Sequence, residues 1–194
     1  DIQCINEALI IALERYNWEI VKYLIESGAD VNTKVKDGYD NKTVLIIASE
    51  KENWEMVKYL IERGADVNTK VDGYNKSKTA LIIAAEKKNW EMVKYLIEKG
   101  ANIGYYALSI AANKGNLEIV KYLIEHGASN INDALIYATI SGNFEIVKYL
   151  AEEGADINYK NNNGDTALML ASENGYLELV KYLVESGADI NTKN

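Results

Sequence analysis

Side chains able to do covalent or metal chemistry are few in this chain. Cys4 is the single cysteine and His126 the single histidine, about 120 residues apart. Nucleophilic catalysis needs a base beside the nucleophile, and this pair offers no such spacing. One cysteine and one histidine make a zinc site only with several carboxylates added. His126 reads instead as an exposed residue at a helix end, where a cation complements the dipole. Asn161, Asn163 and Asp165 alternate as in a calcium loop, yet the twelfth position is Ser172 rather than glutamate. The Asn163-Gly164 pair accounts for that segment better, as a turn. No enzymatic activity, metal or cofactor is expected.

The aromatic residues offer recognition rather than catalysis. Tyr23, Tyr59, Tyr95, Tyr122, Tyr149 and Tyr182 recur once per unit of sequence and read as stacking residues. Trp18, Trp54 and Trp90 share a column with Leu117, Phe144 and Leu177, which predicts core positions. Tyr39 and Tyr74 stand apart, because each follows Asp-Gly and so sits near a hairpin tip. An aromatic at a tip has no packing task, and protein interfaces favour tyrosine anchors. The competing reading is a tip tyrosine lying against its own hairpin.

A repeat must position these residues. VKYLIE, or a close variant, starts at Val21, Val57, Val93, Val120, Val147 and Val180, with spacings of 36, 36, 27, 27 and 33. Self-similarity near that period marks a solenoid, in which each unit buries its apolar face against its neighbours. Each unit carries two helices. From Trp54 the apolar positions Trp54, Met56, Val57, Tyr59, Leu60 and Ile61 form a stripe at helical spacing. Glu55, Lys58 and Glu62 support one another on the solvated side. A glycine follows every copy, as a left-handed residue ending a helix requires. In the first helix of each unit an alanine (Ala12, Ala48, Ala84, Ala111, Ala138, Ala171) follows a leucine by three residues. Small residues there let neighbouring helices approach closely, and the sum is an all-α stack of twelve helices.

These residues also carry a family resemblance. GAD[VI]N, then DG or NGDT, then AL..A, then EIVKYL, resembles the ankyrin repeat over the whole chain, six times. Thr166, Ala167 and Leu168 stand where that family has Thr-Pro-Leu, although no repeat here keeps the proline or the histidine after it. The resemblance implies L-shaped units with β-hairpin fingers and a concave face along the first helices. Repeats of about 1–27, 28–63, 64–99, 100–126, 127–153 and 154–186 are expected in a single domain, with 187–194 opening a further finger. Gly28 to Thr43 and Gly64 to Thr79 are three residues longer than Gly154 to Thr166, so two long fingers are expected. Gly100 to Leu108 and Gly127 to Leu135 are six shorter than the last repeat, so fingers are expected to be missing in repeats four and five. The turn between helices has Gly115, Gly142 and Gly175 in the later repeats but Tyr16, Glu52 and Lys88 in the earlier ones. A left-handed backbone at those three would strain them.

On that scaffold Lys42 and Lys78 precede the threonines of the long fingers, and Lys51, Lys87 and Lys114 fall on the face that lines the family's groove. With Tyr39, Tyr74 and Tyr105 they make a basic, aromatic strip suited to an acidic protein surface. The alternative is ordinary solvated lysines. The chain as a whole is acidic, at net charge -8, with -2 in residues 1–99 and -6 in 100–194. An acidic chain is a poor wrapper of duplex nucleic acid. No apolar run is long enough to span a membrane and no signal-peptide pattern precedes the first repeat. A lone cysteine fits a reducing intracellular or cytoplasmic setting, or the host cytoplasm if the protein is an effector. Starting at Asp1 without methionine points to a trimmed chain.

The expected function is a non-enzymatic module that binds a partner protein through finger tips and groove. The repeat style resembles arrays of large DNA viruses and intracellular microbes, which implies an effector or inhibitor. Two alternatives stay open: sequestration of a small anionic or nucleotide-like ligand near Tyr105 and Tyr106, and a scaffold segment of a longer array. Self-association through an uncapped C-terminal repeat is a further expectation, since Val180, Leu183 and Val184 lack the polar face of a cap.

Overall fold

The computed structural model describes residues 2–72 and 78–191. Among them run twelve helices in six antiparallel pairs: α1 (Ile2–Glu14) with α2 (Trp18–Glu26), α3 (Val44–Glu50) with α4 (Trp54–Glu62), and α5 (Ala80–Glu86) with α6 (Trp90–Glu98). The later pairs are α7 (Tyr106–Asn113) with α8 (Leu117–Glu125), α9 (Ile131–Ile140) with α10 (Phe144–Glu152), and α11 (Ala167–Glu173) with α12 (Leu177–Glu185). One hairpin, β1 (Lys34–Asp37) with β2 (Asp40–Thr43), precedes α3. Contacts divide the chain into two compact units, Asp1–Asn102 and Ile103–Asn194.

Short helices of this kind are marginal alone, so caps and packing hold them. Asn17, Asn53, Asn89 and Asn116 cap the second helices, their side-chain oxygens accepting from the amides of Ile20, Met56, Met92 and Ile119. Thr43, Thr79 and Thr166 do the same for α3, α5 and α11. First helices pack side by side, α3 on α5 and α7 on α9 and α9 on α11. The alanine column permits it, because Ala48, Ala84, Ala111, Ala138 and Ala171 are completely buried. The tryptophan column is less deep than expected. Trp18, Trp54 and Trp90 are only half-buried, and Trp54 covers a small core of Ile46, Val71 and Ile83 instead of entering it.

A second set of asparagines ties repeat to repeat. Asn32 accepts from the amide of Asp66 and donates to the carbonyl of Gly64; Asn68 does the same to Asn102 and Gly100. In the second unit Asn158 bonds Asp189 and Gly187 in the same way. Stacking tyrosines complete the links. Lys22 lies over the ring of Tyr59 in the next repeat, Lys58 over Tyr95 and Lys121 over Tyr149, each 5–6 Å from the centroid.

Tyr16, Glu52 and Lys88 do adopt the left-handed conformation, at φ 52°, 57° and 59°. A side chain there costs roughly 1 kcal/mol or more, partly offset by the entropy that glycine adds to the unfolded chain. Lys88 is exposed, so Lys88→Gly is expected to raise stability by about 0.5–1 kcal/mol. A urea midpoint that falls for this variant would contradict the strain assignment.

Candidate functional site

β1 and β2 form the one hairpin of named strands among the described residues. Gly38 has φ +62° and Tyr39 does not have positive φ, as a two-residue turn with glycine first demands. The turn places Tyr39 at the tip, where it is 92% exposed. Behind it, β2 joins the second finger: the amide of Asn41 donates to the Asp72 carbonyl at 2.7 Å and the amide of Asp72 returns the bond at 3.0 Å. Lys34 forms an ion pair with Asp72 across the same junction. Tyr74 lies outside the described residues.

The lysines of the first unit do not stand free. Lys42 turns toward the helices, with its side chain only 12% exposed, and its ammonium meets Asp37 at 2.7 Å and Glu50 at 2.8 Å. Burial alone would lower its pKa; the hydrogen bonds and charges of the two carboxylates outweigh that and raise it. Lys78 pairs with Glu86 at 3.2 Å, and Lys87 reaches back one repeat to Glu52 at 2.7 Å. The hydrogen bond to Glu52 raises the pKa of Lys87. Lys51 follows α3 and lies over the Tyr16 ring, 3.9 Å from its centroid. Between the hairpin and the helices a cleft of about 250 Å³ opens, with apolar walls of Leu13, Tyr16, Val35 and Ile47 and a charged margin of Lys36, Lys51, Glu14, Asp37 and Glu50. The structure thus gathers Tyr39, Lys42 and Lys51 around one hairpin, with Lys42 serving as its anchor.

In the second unit the shortened connections have their own chemistry. Tyr105 and Asn130 stand at the starts of α7 and α9, and neither side chain caps its helix. The Tyr105 hydroxyl donates to one oxygen of Asp133, and the Tyr159 hydroxyl donates to the other at 3.2 Å. The hydrogen bond to Asp133, with some burial and the carboxylate charge, pushes the Tyr105 pKa up to about 12. Asn130 donates to the Tyr105 carbonyl and to the Ser109 hydroxyl. Between Gly100 and Gly154 no described residue lies in a strand. Lys114 follows α7 and is exposed.

Sequence reasoning missed the asparagine links and this tyrosine–carboxylate cluster. The asparagines were visible in the recurring GAD[VI]N. Asp133 was visible only as the residue that replaces a capping threonine. The last connection, Gly154 to Thr166, carries no strand and closes in the turn expected at Asn163-Gly164. Asn161 accounts for it, its side-chain oxygen accepting from the amides of Asn163 and Asp165 at 2.9 Å.

Cys4 is exposed in the first unit. His126 ends α8 in the second, donating from Nδ1 to the Tyr122 carbonyl and stacking on the Tyr122 ring. No group of three acidic, histidine or cysteine side chains placed to hold a metal occurs among the described residues, and no helix of theirs is long and apolar enough to cross a membrane.

Comparison with known proteins agrees with this architecture. The family described as "Ankyrin repeats (3 copies)" matches residues 3–71, 70–133 and 108–194. An ankyrin repeat domain from Acinetobacter baumannii AYE, known from a crystal structure, superposes with a TM-score of 0.72 at 28% identity, covering 93% of this chain and 98% of that one. No curated protein matches the sequence. Ankyrin repeats are in general modules of protein interaction, and the family is in general non-enzymatic. With helix pairs, capping residues and sequence profile in agreement over nearly its full length, the chain belongs to the ankyrin repeat family.

Proposed function

We propose that this protein binds a partner protein through the hairpin tip and the adjoining cleft of its first unit, without catalysing a reaction. The observation that carries the reading is Tyr39, a large ring held 92% exposed at the end of an anchored hairpin. Such a ring loses area to a partner at little entropic cost, which is how tyrosine earns its place at interface centres. Lys36 and Lys51 line the cleft together with Glu14, Asp37 and Glu50, so it suits a partner surface of mixed polarity, and Lys78 and Lys87 would act at the rim through rate more than affinity. An exposed unpaired Cys4 fits an intracellular partner. Leu177, Val184 and Ile190 are 62%, 45% and 70% exposed and supply a second surface, for self-association.

A small anionic ligand is the weaker reading. The hydroxyls of Tyr105 and Tyr159 already serve Asp133, whose carboxylate would repel an anion at the place proposed for it.

The test is affinity capture from lysate with the unaltered chain and a Tyr39→Ala variant, matched in folding by circular dichroism. A partner held by the first and weakened about tenfold or more in the second is the expected result. Equal retention by both would remove the tip from the interface.

A further inference from the structure

In the second unit the shortened connections leave the surface of α7 and α9 uncovered, and we infer that it binds an extended protein segment reading Arg-x-Val, with the arginine on Asp133 and the valine over Tyr137. This surface is separate from the hairpin and goes beyond the reading above. Ile47, Ile83, Ile110, Tyr137 and Leu170 hold equivalent places, two residues after the leucine of each first helix. Where the preceding connection is long, the place is covered: Ile47 is 7% exposed and Ile83 1%. Val71, from the connection before α5, shares a buried cluster with Ile83. In α9, behind a short connection, Tyr137 is 41% exposed and Ile140 38%. Tyr106, in the first turn of α7, is 45% exposed. The neighbouring column changes as well. Glu50 and Glu86 meet the connection lysines Lys42 and Lys78, whereas α7 has Asn113 in that place and α9 has Ile140. The uncovered helices thus turn aromatic and aliphatic side chains outward at the places where longer connections elsewhere lie over them.

Charge selects the occupant. Asp133, Tyr137 and Ile140 stand at i, i+4 and i+7, in one stripe of α9. α7 packs beside α9 and brings Tyr105 and Tyr106 to Asp133. The Tyr105 hydroxyl bonds the carboxylate, and its ring meets that of Tyr106 edge-on with 5.3 Å between centroids. Two tyrosine hydroxyls and the first turn of α9 hold this carboxylate, and none of them is a counter-ion. No lysine or arginine among the described residues pairs with it. Lys114 follows α7 at the end away from Asp133, about 12 Å along the helix. A carboxylate has about four acceptor sites, so two tyrosine bonds leave room for a cation. Arginine answers both features, because its planar guanidinium pairs with a carboxylate and stacks on an aromatic ring such as Tyr106. Asp133 and Tyr137 are about 6 Å apart along the helix axis. Alternate residues of an extended chain point to one side about 6.6 Å apart. An arginine on Asp133 therefore sets the second residue after it over Tyr137 and Ile140. A valine there supplies the cover that Val71 gives Ile83.

The probe is a fluorescein-labelled peptide of about seven residues with one Arg-Thr-Val and no other charge, titrated with the full chain and read by anisotropy. Saturable binding that weakens with salt is expected. Citrulline in place of the arginine keeps the shape without the charge, and is expected to bind at least tenfold more weakly. Asp133→Asn and Tyr137→Ala should each weaken the arginine peptide about tenfold, and citrulline should cost nothing further in Asp133→Asn. Should Asp133→Asn disturb α9 by circular dichroism, the citrulline peptide on the unaltered chain decides alone. Equal binding of the arginine and citrulline peptides would overturn the proposal, as would absence of saturation at about millimolar concentration. A signal lost in Tyr39→Ala and kept in Tyr137→Ala would move the peptide to the hairpin and also overturn it. So would free arginine amide binding as tightly as the peptide, which would make this a site for a small cation. Dimers that Tyr137→Ala breaks and that exclude the peptide would assign the face to a second copy, against the proposal. A captured partner that needs Tyr39 but tolerates Tyr137→Ala, with no peptide binding, would keep the hairpin reading and remove this face.

Discussion

Gly142→Ala is expected to cost about 2–3 kcal/mol, while the same change at Gly175 costs about 1 kcal/mol. Both glycines close the turn between two helices with positive φ, 68° and 72°. Backbone strain is therefore common to the pair. Their surroundings differ. A Cβ on Gly142 would lie 2.9 Å from Cζ of Tyr176 and 3.1 and 3.2 Å from its neighbours in the ring, whereas nothing lies within 4 Å of one on Gly175. Tyr176 occupies the position where earlier repeats carry a capping asparagine, and its hydroxyl reaches the Ile140 carbonyl at 3.4 Å. The ring lies flat on the glycine because no side chain is there. Urea unfolding of both variants, with Tyr176→Ala added to each, separates the two contributions. Removing the ring should recover the excess loss at Gly142 and recover nothing at Gly175. Equal losses at the two sites would show that the ring moves aside freely.

Lys42→Ala should lose about 2 kcal/mol, more than an exposed ion pair would suggest. The ammonium sits between Asp37 of the hairpin and Glu50 of α3 with 12% of its side chain exposed. Truncation leaves two carboxylates facing a half-buried gap and removes the stem that fills it. Lys42→Met keeps the stem, so it should cost roughly half as much, and adding Glu50→Gln should recover part of that. Chemical denaturation gives the energies, and amide exchange at Val35 and Lys42 tells whether the hairpin opens first. If Lys42→Ala and Lys42→Met lose the same amount, the charge rather than the stem carries the anchor. A loss below about 0.5 kcal/mol would make the pair an ordinary surface contact.

The lysines show why one layer of this protein was legible and another was not. Repetition marks Lys42, Lys51, Lys78 and Lys87 as equivalent pairs in successive repeats, and nothing in a linear pattern tells where each ammonium ends. In the fold Lys87 finds Glu52, a residue of the preceding repeat, and Lys42 finds a carboxylate on each of two elements. A basic strip read from spacing thus becomes a set of anchors, with Lys51 drawn over Tyr16. The tryptophans tell a similar story. Their column is right, but a ring at the start of a short helix reaches the edge of the core, so Trp54 caps the cluster of Ile46, Val71 and Ile83.

Sequence alone determined the six helix pairs, their ends and the family, because each depends on contacts repeated at a fixed spacing: the buried alanine column, the glycine after every second helix, and the apolar stripe of each VKYLIE. Those signals add over six copies, so chance departures such as Tyr16 or Asp133 do not obscure them. The site required the tertiary structure. Which edge of the hairpin is paired follows from the Asn41–Asp72 bridge to the next repeat, and the commitment of Tyr105 and Tyr159 to Asp133 follows from connections too short to form fingers. Both are single events, set by where one side chain or one amide meets another across a turn of the stack, and a period cannot record what happens once.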